Sequence, residues 1–120
     1  MSSLKSYKEL VVWQKSMKLV TQIYDLTKTF PDDERFGLTS QMRRCSVSIP
    51  SNIAEGWGRL SRKNYIQFLR ISRGSLYELE TQILITKQLN YINNSETVEN
   101  LIIEISKMLN SLIRKLEDKN

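Results

Sequence analysis

The sequence predicts an all-α protein, an antiparallel up-down-up-down four-helix bundle built as one domain. Three observations carry this. Ile and Leu recur at three- and four-residue intervals through most of the chain, which is the helical period. Glycine (4) and proline (2) fall far below their usual share, so chain breaks are few. Those breaks divide the sequence into four helical runs joined by short turns, and short turns make neighbouring helices antiparallel. The 120 residues suit a single core, so residues 1–120 are read as one domain.

The opening, Met1 to Lys8, is polar and is expected to fray. A first helix follows from about Glu9 to Thr29, with two apolar stripes on different sides. Leu10, Trp13, Met17, Val20 and Tyr24 form one; Val12, Leu19, Ile23, Leu26 and Phe30 form the other. One stripe is enough for a helix in a lone bundle. The expectation is therefore that one stripe meets a second chain, and Val12, Leu19, Ile23 and Leu26 are assigned to that oligomer interface.

The run from Phe30 to Gly37 punctuates the helix, because a residue before proline is pushed out of the α region. Asp32, Asp33 and Glu34 have no further ligand residue beside them. They read as the acidic start of the next helix rather than as a metal site.

The second helix is predicted from Leu38 or Thr39 to Trp57, with Leu38, Met42, Cys45, Ile49, Ile53 and Gly56 on one face. Pro50 lies inside it. Its missing N–H and its clash with the Ser46 carbonyl predict a kink or break between Ser46 and Pro50. Ser46, Ser48 and Ser51 offer hydroxyls to the freed backbone groups. Gly56 and Gly58 are the candidate C-caps, and Ser61 the candidate N-cap of the following helix.

The third helix runs from about Arg62 to Leu89, with Tyr65, Leu69, Ser72, Leu76, Leu79 and Ile83 on its core face. Gly74 lies opposite that face. A mid-helix glycine costs about 1 kcal/mol against alanine, which suggests close approach by another backbone, that of a neighbouring subunit. After the turn NYINNS, a fourth helix begins near Ser95 and carries Val98, Leu101, Ile102, Ile105, Met108, Leu109, Leu112 and Leu116 on one stripe.

The composition leaves little room for catalysis. The absence of histidine removes the commonest general base and metal ligand, and the single Cys45 leaves no zinc site of the Cys/His kinds. No phosphate-cradling loop follows Gly56 and Gly58. The expectation is a protein that is not an enzyme and holds no cofactor or metal. Cys45 sits on an apolar stripe and reads as a small buried hydrophobe. No signal-peptide core and no bilayer-length apolar run is visible, so the expected location is cytoplasmic, with no membrane partner.

The charge is unevenly spread. Between Arg43 and Arg73 lie Arg43, Arg44, Arg59, Arg62, Lys63, Arg70 and Arg73 against Glu55 alone, so this stretch holds the whole positive excess of a chain with net charge +5. Arg62, Ile66, Arg70, Arg73 and Tyr77 fall within about 80° on a helical wheel, with Lys63 alongside. A basic ridge bearing an aromatic ring suits a phosphate backbone and a stacked base. The same ridge also reads as a solvated face pairing with acids of another chain, for example Glu78, Glu80 or Glu104. Arg43 and Arg44 point about 100° apart, so one would join the ridge and the other pair with an acid such as Glu55. Trp13 and Trp57 read as core or interface anchors.

The blocks LVVWQ (Leu10 to Gln14), TFPDDERFGLTSQMRR (Thr29 to Arg44) and SIPSNIAEG (Ser48 to Gly56) resemble a four-helix-bundle family encoded within intervening sequences of 23S ribosomal RNA genes. The resemblance extends from about Tyr7 to Lys115. It implies a bundle assembling as a ring-shaped homopentamer. The family is also similar to the accessory protein of diversity-generating retroelements, a basic pentamer that binds nucleic acid and a reverse transcriptase. The seven basic positions above are the ones onto which nucleic-acid binding would carry over. Two functions are thereby expected: non-specific binding of RNA or DNA, or a protein-interaction scaffold whose motif residues build the subunit interface. An enzyme would show itself as a pocket where Glu55, Tyr65 or Arg44 converge with perturbed ionisation.

Overall fold

The computed structural model describes residues 4–119. Four helices make up the chain: α1 (Val11–Thr27), α2 (Leu38–Trp57), α3 (Arg62–Gln88) and α4 (Glu96–Glu117). No strand occurs among the described residues. Each helix packs against its neighbours in sequence, and α1 closes the ring on α4. Cross-helix contacts fix the directions. Gly56 lies against Phe68 and Tyr65, the Ser72 hydroxyl donates to the Ile49 carbonyl, and the Cys45 thiol to the Ser75 carbonyl. The α2 number falls as the α3 number rises, so the pair is antiparallel. Arg73 with Asn110 and Lys87 with Glu99 make α3 and α4 antiparallel in the same way. Lys15 with Glu104, together with Val11 and Val12 beside Ser111 and Leu112, does so for α1 and α4. The result is a rod of 48 × 22 × 20 Å.

The core face of α3 is as its periodicity predicts, with Leu69, Ser72, Leu76, Leu79 and Ile83 all fully buried. Against it lie Met42, Ile49 and Ile53 of α2 and Ile102, Ile105 and Leu109 of α4. Ile113, outside the predicted α4 stripe, is buried as well, while Met108, Leu112 and Leu116 are only partly covered.

The stripes of α1 are exchanged relative to the expectation. Val12, Leu19 and Ile23 are buried in the chain's own core, with Leu26 packed against it. Val12, Leu19 and Ile23 are therefore not a surface for a second chain, while Leu26 is half-buried. The outward stripe is the other one: Met17 and Tyr24 are 44% and 40% exposed, and Trp13 and Val20 half-buried. Both stripes are apolar and helically spaced, and periodicity alone does not say which neighbour each one meets.

Pro50 does not break α2, which is helical throughout. The serine hydroxyls bond to other carbonyls nearby, Ser46 donating to that of Arg43, Ser48 to that of Cys45 and Ser51 to that of Val47. None of the three donates to the Ser46 carbonyl that Pro50 frees. Gly56 is not a cap but an interior helix residue, and Gly58 ends the helix. Nothing within the chain comes within 4 Å of a Cβ placed at Gly74.

The start of the chain is more structured than its polarity predicts. Tyr7–Glu9 forms a 3-10 turn capped by the Ser6 side chain, and the Tyr7 ring packs edge-on to Trp13 and Trp57. Residues 1–3 of the predicted frayed segment lie outside the described residues.

At the far end of the rod, the turn before α2 is clasped to the turn before α4. Glu34 accepts a hydrogen bond from the Leu38 N–H at 3.1 Å and another from the Tyr91 hydroxyl at 2.8 Å. The Phe30 ring packs at a 53° tilt against Tyr91, with centroids 5.5 Å apart. The acid that resembled a metal ligand is thus a helix cap. Among the described residues no group of three or more His, Cys, Asp and Glu converges.

Candidate nucleic-acid interface

The predicted ridge on α3 faces the flank of α4 and is partly occupied by it. The Arg70 guanidinium pairs with Glu117, Arg73 donates to the Asn110 side chain at 2.9 Å, and the Tyr77 hydroxyl meets that of Ser106 at 3.4 Å. The Ser106 and Asn110 bonds hold the Tyr77 phenol below its ordinary value, with Arg73 adding to the effect. Arg73 and Tyr77 therefore tie α3 to α4. Within the chain, Glu104 pairs with Lys15.

The other predicted residues divide. Arg43 is turned inward to α1, donating to the Thr27 hydroxyl at 2.8 Å and lying over the Tyr24 ring. That is an anchor between helices. Arg44 is exposed beside Gln41, Cys45, Ser48 and Glu78. Neither arginine pairs with Glu55, whose partner is Arg59 at 2.8 Å. Arg59 also covers the Phe68 ring at 4.9 Å. Arg62 and Lys63 are exposed, and neither makes an ion pair with an acid among the described residues.

The antiparallel register brings a second group of cations to Arg62 and Lys63. The end of α4 runs beside the start of α3, and Arg62, Lys63, Ile66, Leu116, Glu117 and Lys119 line one cleft of about 370 Å³. Arg114 and Lys115 lie in the last turns of α4 and are likewise exposed, Lys115 on the side that borders α1. Lys5 and Lys8 belong to the same end, since Tyr7 beside them touches Trp57. At the opposite end acids outnumber cations, with Asp25, Asp32, Asp33, Glu34, Glu96 and Glu99 against Lys28, Arg35 and Lys87, while the basic end also holds Glu9, Glu55, Glu117 and Asp118. The cations of α4 were missed in the sequence because they lie some fifty residues from the basic stretch. Pairing the end of the fourth helix with the start of the third, which the up-down topology requires, would have found them.

The turn entering this end has an unusual backbone. Leu60 sits at φ 57°, in the left-handed region, and its side chain is 97% exposed. The turn after α3 uses the same region at Asn90, φ 62°, where the Tyr91 N–H closes on the Thr86 carbonyl at 2.9 Å. Asparagine tolerates that conformation; leucine is disfavoured there by about 1 kcal/mol. Ser61 then caps α3, accepting from the Asn64 N–H.

No enzyme-like convergence accompanies these groups. Glu55, Tyr65 and Arg44 are not brought together, for Glu55 faces Arg59, Tyr65 lies behind Gly56, and Arg44 borders Cys45. Burial pushes the Tyr65 phenol up to about 12. Burial first, and then Glu78, pushes the Cys45 thiol up to about 12, so it stays protonated and donates to the Ser75 carbonyl at 3.0 Å. A thiol held in that form is a poor nucleophile.

A second surface lies between α1 and α2. Tyr7, Trp13, Met17, Val20, Val47, Pro50, Ser51 and Ala54 line a mostly apolar groove. No helix among the described residues is long and apolar enough to cross a membrane.

Comparison with known proteins places this architecture. The family described as 23S rRNA-intervening sequence protein matches residues 8–111. The fold is similar to a crystal structure, at 1.70 Å, of a protein with unknown function from the S23 ribosomal protein family of Bacteroides thetaiotaomicron. That chain is 30% identical, with a TM-score of 0.79, and the match covers 87% of this chain and 96% of that one. None of the curated proteins matches this chain.

Proposed function

Because this chain belongs to the family of 23S rRNA-intervening sequence proteins, we propose that it is a non-enzymatic, oligomeric bundle that binds RNA or DNA through its basic end. The observation that supports this most is the meeting of Arg62, Lys63 and Lys119 around one cleft, whose one lining acid is Glu117, with Asp118 next to it in sequence. Glu117 is itself taken up by Arg70. Lysine and arginine side chains so arranged neutralise phosphates and release counterions; they position a strand without reading its bases. Binding is accordingly non-specific. In a pentamer the net charge would reach about +25, and its field would concentrate polyanions near the particle.

The test is binding of the purified protein to labelled single-stranded RNA, duplex RNA and duplex DNA across a salt titration, beside a variant with Arg62, Lys63 and Lys119 changed to alanine. The expected result is affinity that falls steeply with salt and collapses in the folded variant. No binding at low salt would overturn the reading.

The α1–α2 groove favours a second activity, contact with protein. Its first use is assembly with further copies of this chain, and its alternative use is a scaffold for another protein, such as a reverse transcriptase. Met17 and Val47, 44% and 39% exposed, are its open apolar positions. Changing both to glutamate is expected to reduce the particle mass measured by light scattering. A monomer in the unchanged protein would remove the oligomer. The working compartment is the cytoplasm.

A further inference from the structure

Leu60 is the one residue at the basic end whose conformation and exposure both work against the isolated chain. Its backbone lies at φ 57°, which glycine or asparagine would occupy without penalty, as Asn90 does at the other turn. Its side chain is 97% exposed and gains no packing in return. Gly58 stands only two residues away, so the neighbourhood tolerates glycine, yet the left-handed position holds a leucine. Arg59 precedes it, and Arg62 and Lys63 follow across the Ser61 cap. The turn therefore carries an apolar tip set between cations.

We infer that Leu60 is a wedge that inserts between adjacent bases of the nucleic acid held by the basic end, a role that rests on the binding proposed above. Apolar wedges flanked by basic residues unstack a base step and recover the cost through the contacts that the opened strand allows. A left-handed residue fixes the tip's direction, because the α2 end and the capped start of α3 hold both sides of it. A lipid surface is the other anionic partner that an apolar tip would suit. The tip offers that surface one leucine, flanked by Arg59 and Ser61, whereas interfacial segments bury a whole apolar face. One side chain is enough for one base step.

The experiment uses the full chain with short DNA and RNA duplexes and single strands carrying 2-aminopurine, whose fluorescence rises when its neighbours unstack. Wild type is expected to raise the fluorescence several-fold on binding. Leu60→Gly and Leu60→Asn should bind about tenfold more weakly, with the same salt slope and no rise in fluorescence. Their thermal midpoints should equal or exceed that of wild type, which separates a lost wedge from a damaged fold.

Unchanged affinity and fluorescence in both variants would overturn the wedge while leaving phosphate binding intact. Binding by wild type without any fluorescence rise would do the same. Absence of binding at low salt would overturn both this inference and the proposed function. Leu60-dependent capture by anionic phosphatidylserine vesicles, with no unstacking, would assign the tip to membranes instead.

Discussion

Replacing Gly56 with alanine sets two helical effects against each other, and the structure decides the sign. Alanine in a helix interior is worth about 1 kcal/mol over glycine. Against that, a methyl carbon at this position falls 2.7 Å from Phe68 Cβ, 3.1 Å from Tyr65 Cδ1 and 3.3 Å from the Tyr65 carbonyl oxygen. Phe68 Cβ is fixed to the α3 backbone and has no rotamer by which to withdraw. The helices must separate along their closest contact, and overpacking of this kind costs about 1–3 kcal/mol, occasionally more. With the severe contact placing Gly56→Ala at the upper part of that range, the net loss is about 1–2 kcal/mol. For a chain of this length that lowers Tm by about 4–8 °C. Gly74→Ala is the matched control, since nothing within the chain lies within 4 Å of its new Cβ. It should gain up to about 1 kcal/mol. Thermal and urea unfolding followed by far-UV circular dichroism, at one fixed protein concentration, reads both. A Gly56→Ala protein as stable as wild type would refute the close-packing argument. A Gly74→Ala protein that loses stability, or dissociates, would mean that another chain's backbone lies on α3 there.

Three further outcomes follow from named contacts. Ser61→Ala removes the side-chain cap on the Asn64 N–H and should cost about 1 kcal/mol in urea unfolding. The Cys45 thiol should stay unreactive toward a disulfide reagent at mildly alkaline pH and react at once in denaturant; rapid native-state reaction would contradict its burial. Leu76→Ala, at a fully buried position in the middle of α3, should cost about 2–5 kcal/mol, read by the same unfolding curves.

The Cys45 group also predicts a pH dependence. Its folded value is raised to about 12 from an ordinary 9.0, so the unfolded chain loses the proton first. The associated stability is complete below pH 9 and disappears as pH rises toward 12. Burial raises Tyr65 from 10.0 to about 12, adding a loss with the same sign that begins about one pH unit higher. Midpoints measured between pH 8 and 11 should fall, and Cys45→Ala should remove the earlier part of the fall.

Much of the architecture was legible because it depends on local period. Leu69, Ser72, Leu76, Leu79 and Ile83 repeat by three and four as one stripe, while other apolar residues of α3, such as Ile71, Leu84 and Ile85, fall outside it and are exposed. Ser61 combines a capping residue with an immediately following helical run, and the cap is made. The assignment on α1 failed for the converse reason. Two apolar stripes satisfy the same period, and only the positions of α2, α3 and α4 choose Val12, Leu19 and Ile23 for the interior. The continuity of α2 through Pro50 was not legible, because a proline's local cost is visible in sequence whereas the packing of α3 on this stretch, including the Ser72 hydroxyl bond to the Ile49 carbonyl, is not. The candidate site was half legible. Arg62 and Lys63 announced themselves as a charge cluster, but Lys119 joins them only through the antiparallel return of α4. Arg43 and Arg73 looked equally available in sequence and are held by Thr27 and Asn110.

The excess of cations at one end of a 48 Å rod and of acids at the other has a kinetic consequence. Such a body carries a permanent moment along its axis and experiences a torque in the field of any polyanion. It would turn while still diffusing and arrive with the Leu60 end foremost. Fewer collisions are then wasted on wrong orientations, so encounter rates rise at low ionic strength. Neutralising the distant acids Asp32 and Asp33, which touch no strand, would weaken that alignment and slow arrival without altering the contact made on landing.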